Sequence, residues 1–68
     1  MTKWKSVYKV GLEHRAAIVR DVLIDQDIEA IIISKKDSTH GFGFLEVQVP
    51  VDQVILAFKI IEEKIHFE

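Results

Sequence analysis

The sequence predicts an α+β domain with the element order β-α-β-β-α. Three observations point there: two segments whose apolar residues recur at helical spacing, three short segments rich in β-branched and aromatic residues, and glycine and proline confined to the joints between them. With 68 residues, three glycines and one proline there is room for one domain, expected to span residues 1–68 without a linker or low-complexity tract.

Trp4 to Val10 reads as the first strand and ends at Gly11. Strict alternation assigns Trp4, Ser6, Tyr8 and Val10 to one face and Lys3, Lys5, Val7 and Lys9 to the other, so that three lysines share a face that meets solvent or guards an edge. From Leu12 to about Gln26 the apolar residues Leu12, Ala16, Val19 and Leu23 fall at i, i+4, i+7 and i+11, with Val22 beside them. That spacing is an amphipathic helix, with Glu13, Arg20 and Asp21 on its wet side. Ile28 to Lys35 contains Ile31, Ile32 and Ile33 in succession, a strand that places β-branched residues on both faces of a sheet. Phe44 to Val49 alternates, with Leu45, Val47 and Val49 inward and Phe44, Glu46 and Gln48 outward, until Pro50 stops the ladder.

Val51 to about His66 returns to helical spacing. Val54, Phe58, Ile61 and Ile65, flanked by Ala57, form the stripe expected to meet the core, and Asp52 sits near the positive helix start. Leu56, Ile60 and Phe67 form a second stripe on nearly the opposite side, expected to meet another copy of the chain. A right-handed first crossover then places strand 3 between strands 1 and 2, giving a three-stranded antiparallel sheet of order 1-3-2 with two helices on one face. This is a ferredoxin-like βαββα sandwich.

Composition narrows the function. The chain has no cysteine, which removes disulfides, thiolate metal sites and cysteine nucleophiles. Its formal charge of −2 and pI of about 5.9 leave no nucleic-acid footprint, although the charge is uneven: residues 1–20 hold five cations and one anion, residues 21–34 four anions and no cation. No apolar run is long enough for a signal peptide or a membrane span, so a cytoplasmic protein is expected. His14, His40 and His66 lie in separate segments without metal-ligand spacing, and no metal or cofactor is expected.

The segment Lys35-Lys36-Asp37-Ser38-Thr39-His40-Gly41-Phe42-Gly43 joins strands 2 and 3 and is longer than an ordinary hairpin loop. Its lysines, hydroxyls and permissive glycines suit an anionic ligand, yet it lacks the order of a P-loop and precedes a strand instead of a helix. Lys35, Lys36, Asp37, Ser38, Thr39, His40, Phe42 and Phe44 are therefore the candidate ligand or partner residues. His40 with Asp37 is the only local acid-base pair, and with no oxyanion donors in view no catalytic residue is assigned. Gly41-Phe42-Gly43-Phe44 only echoes the aromatic string of RNA-binding sheets of this topology.

Across nearly the full length, one set of residues resembles a family of small prokaryotic signal-transducing proteins, catalogued as a domain of unknown function. The residues are Trp4-Lys5-Ser6-Val7-Tyr8, Glu13 to Arg20 leading to Leu23, Asp27-Ile28-Glu29-Ala30, the Lys36-Asp37-Ser38 turn, and Glu46-Val47-Gln48-Val49-Pro50 before Ala57. The resemblance implies a P-II-like, ferredoxin-like fold in a bacterial protein and transfers no catalytic residue. P-II proteins bind nucleotide between subunits and contact targets through a long loop; the segment around Lys36 to Gly43 is in a comparable place and is much shorter. The expectation is a regulatory interaction module without catalytic activity that self-associates as a homo-oligomer, its binding surface combining the 35–43 loop with the open sheet face. The alternative is a sensor that binds an anionic metabolite or nucleotide through the 35–43 loop.

Overall fold

A computed structural model describes residues 3–37 and 42–67. The order is β1 (Trp4–Val10), α1 (Glu13–Asp25), β2 (Ile31–Asp37), β3 (Phe42–Pro50), a single 3₁₀ turn (Val51–Gln53) and α2 (Val54–Lys64). The sheet is antiparallel, with β3 between β1 and β2. Both helices pack on β1 and β3 and on each other, and the Cα trace measures 35 × 35 × 15 Å. That thickness fits one sheet and one helix layer, so among the described residues the second sheet face has no helix over it. The α+β, ferredoxin-like arrangement expected from the periodicities is therefore present.

The core lies between the layers. Ala16, Val19 and Leu23 of α1, Val47 and Val49 of β3, and Ala57 of α2 are completely buried, joined by Val7, Ile28, Ala30 and Ile60. The alternation read on β3 holds, with Val47 and Val49 facing the helices. The α1 stripe holds too, apart from Leu12, which stands before the helix as its exposed N-cap.

α1 stops on a sharp device. The N–H of Asp27 donates to the Ile24 carbonyl and that of Ile28 to the Leu23 carbonyl, both at 3.0 Å, while Asp27 adopts φ 64°. This is the Schellman pattern, with an aspartate where glycine is usual. The contact that accompanies it joins Leu23 to Ile28, both within the core, so the helix ending also starts the path into β2.

Four expectations need correction. On β1 the register with β3 shifts between Ser6 and Tyr8, a bulge at Val7. The extra residue reverses the alternation after it, so Tyr8 and Val10 join Val7 on the helix side, while Lys9 lies opposite Glu46 on the other. The three lysines do not share a face. On α2, Phe58 is half exposed and Ile60 is in the core, the reverse of the predicted stripes. Ala57, fully buried, marks the closest approach of α2, and Phe58 lies about 100° further round the helix and points away.

It follows that Leu56, Ile60 and Phe67 do not form an outward stripe. Leu56 is exposed, Ile60 is buried, and the Phe67 ring packs 6.3 Å from Tyr8 with the Arg15 guanidinium 4.9 Å from its centre. The outward apolar set of α2 is Ile55, Leu56 and Phe58, continued by Val51. Finally, β2 runs on to Asp37 and β3 starts at Phe42, so the connection is residues 38–41 rather than the longer 35–43 segment.

Candidate binding surface

The side of the sheet away from the helices is assembled from all three strands. Residues paired across an antiparallel ladder share a face. Trp4, Ser6 and Lys9 of β1 therefore lie with Pro50, Gln48 and Glu46 of β3, and Ile31, Ile33 and Lys35 of β2 lie opposite Gln48, Glu46 and Phe44. At its centre Glu46 is only 8% exposed although no helix covers it. The Gln48 Nε2 amide donates to Glu46 Oε1 at 3.0 Å, and Lys9 Nζ stands 3.9 Å from Glu46 Oε2. The carboxylate is thus held by its own sheet neighbours. The Ser6 hydroxyl, opposite Gln48, is buried without a hydrogen-bond partner among the described residues.

Around this polar centre the face carries four large apolar residues, together with the exposed lysines Lys9 and Lys35. Phe44 and Ile33 are half-buried, and Trp4 and Ile31 remain 38% and 37% exposed on either side of the end of β3. Trp4 and Ile31 also line a cleft of about 470 Å³ with Ile24, Asp27, Ile28, Glu29 and Ala30. The cleft joins the uncovered sheet face to the C-terminal end of α1, where Asp27 and Glu29 add negative charge to the negative helix terminus.

The predicted loop site is redistributed. Lys35 pairs with Phe44 and Lys36 with Gly43, so the two lysines are successive strand residues pointing to opposite faces. Their stems leave the strand on opposite sides of the sheet. Asp37 and Phe42 are described as paired backbone closing the ladder, and Ser38, Thr39, His40 and Gly41 lie outside the described residues. Phe44 falls on the uncovered face, as its alternation with Leu45 indicates.

Trp4 and Ile31 are not among the candidate binding residues read from the sequence. Their signal is the pairing of both strands with one central strand, which no single segment carries. His14 is exposed at the start of α1, and His66 Nε2 lies 3.3 Å from the Glu63 carbonyl oxygen, where an N–H donates to the end of α2. Among the described residues no group of three or more histidines and carboxylates is spaced to hold a metal, and no helix is long and apolar enough to cross a membrane. Comparison with family models, with curated proteins and with solved structures finds no match for this chain.

Proposed function

We propose that this protein is a non-catalytic, self-associating interaction module of a regulatory or signal-transducing kind, which engages its partners through the uncovered face of its sheet. The observation that carries the reading is that face itself: Trp4, Ile31, Ile33 and Phe44 surround a Glu46 carboxylate that accepts a hydrogen bond from Gln48 and has the Lys9 ammonium 3.9 Å away. Apolar area rimming a small polar centre suits docking of another protein surface.

The test combines solution mass with affinity capture. Sedimentation over a concentration range is expected to show reversible association. Capture by the wild-type chain is expected to be lost in Phe44→Glu, with circular dichroism showing that the variant is folded. A concentration-independent monomer whose captured proteins ignore Phe44→Glu would overturn the reading. A thermal-shift panel of nucleotides and anionic metabolites addresses the sensor alternative. Stabilisation of about 2.7 kcal/mol at 100 times Kd would replace the interaction module with a sensor.

A further inference from the structure

We propose that two copies of the chain join through the outer edge of β2, antiparallel about Ile32, into one continuous six-stranded sheet. The inference rests on the self-associating reading above and names its surface. Both outer strands of the three-stranded sheet leave an edge unpaired among the described residues, but the edges differ. β1 is broken by the bulge at Val7 and carries Lys3, Lys5 and Lys9 along or beside it, features that discourage strand addition. β2 pairs with β3 in unbroken register from Ile31 to Asp37 and opens with three isoleucines. It is unbulged, and apolar over its first half.

Charge selects the register. A two-fold axis perpendicular to the sheet keeps the uncovered faces of both copies on one side, so only residues of the same face can lie opposite each other. Centred on Ile32, the pairing sets Ile31 against Ile33 and Glu29 against Lys35, each twice, with Ala30 against Ser34. Glu29 and Lys35 are both exposed, and exposure alternates through Glu29, Ala30 and Ile31 in the phase of the strand. Centring on Ile33 would instead oppose Glu29 to Asp37 and Ile31 to Lys35. Centring on Ser34 would oppose isoleucine to lysine twice on each face. The register about Ile32 is the one among these that satisfies both charge and apolar matching. Beyond Glu29 the αL turn at Asp27 leads the chain out of the sheet, which limits the paired segment to residues 29–35. The joined faces would also bring two apolar patches, each with Trp4 and Phe44, onto one continuous platform.

The experiment uses the chain's lack of cysteine. Under mild oxidation an equal mixture of Ile31→Cys and Ile33→Cys chains is expected to form a disulfide-linked dimer, and each variant alone is expected not to, because opposed residues lie within disulfide reach only in this register. Sedimentation of Lys35→Glu and of Glu29→Lys is expected to show dimerisation weakened about tenfold, with the double exchange restoring it. Crosslinking of Ile33→Cys with itself would overturn the register. A dimer insensitive to Lys35→Glu but dissociated by Ile55→Glu would overturn the β2 edge while leaving self-association intact. A monomer at every concentration would overturn both this inference and the self-associating part of the functional reading.

Discussion

On β3, Val47 and Val49 lie fully buried against the helices, while Glu46 and Gln48 face the side that no helix covers. Glu46 is nevertheless nearly as hidden as the valines. The two low exposures have different origins. The valines are covered by a second layer, Leu23, Val19 and Ala57 among it, and their burial contributes directly to the folding energy of the domain. Glu46 is covered sideways by its own sheet, through Lys9, Gln48 and the facing Ile33, and its charge keeps two polar partners. A fractional exposure therefore does not give the cost of a substitution until its source is known.

The covered face should break first. Leu23 is completely buried, packs in the core and also makes the hydrophobic contact of the α1 ending with Ile28. Leu23→Ala is expected to cost about 2–5 kcal/mol, the range for truncating a buried leucine. In a chain of 68 residues that is a large share of the whole stability. Urea denaturation measures it; a loss below about 1 kcal/mol would mean that the two layers are not packed as described.

At the edge of the core on the helix side stands Phe67, half-buried beyond α2, with its ring against Tyr8 and beneath the Arg15 guanidinium. Phe67→Ala is expected to cost about 1–2 kcal/mol, combining partial burial with an aromatic pair and a cation–π contact. A double-mutant cycle with Tyr8→Ala separates the pair from the area. Coupling indistinguishable from zero would leave Phe67 as a loose end instead of a clasp between α2 and β1.

Much of this contrast was legible in the sequence, and the reasons for the exceptions are physical. The spacing of Ala16, Val19 and Leu23 and the alternation of Leu45, Val47 and Val49 are local signals, so the elements, their order and the inner face of β3 follow from them. The bulge at Val7 is a property of a strand pair and leaves no mark in β1 alone. The exchange of Phe58 for Ile60 was decided by where α2 approaches the rest of the domain, at Ala57, which hydrophobicity at adjacent positions does not reveal. Lys35 and Lys36 resembled loop residues by composition, yet the ladder with Phe44 and Gly43 carries them into the sheet and separates their charges. Of the candidate surface, Phe44 was readable from alternation. Trp4 and Ile31 became neighbours of one cleft only after β1 and β2 were placed on either side of β3.

The uncovered face should give the smallest response, at Lys9. Its side chain is 65% exposed and its ammonium stands 3.9 Å from Glu46, so solvent and salt screen the attraction and the mobile stem loses entropy in making it. Removing the lysine leaves the Gln48 amide still donating to Glu46 at 3.0 Å, so the carboxylate is not orphaned. Lys9→Ala is therefore expected to change stability by less than about 0.5 kcal/mol, with the difference shrinking as salt is raised. Urea denaturation at low and high ionic strength measures both. A loss above about 1.5 kcal/mol that ignored salt would show Glu46 depending on Lys9 as a buried charge depends on its counter-ion, and the uncovered face would then be covered in solution, as the pairing of two copies in one sheet does not by itself require.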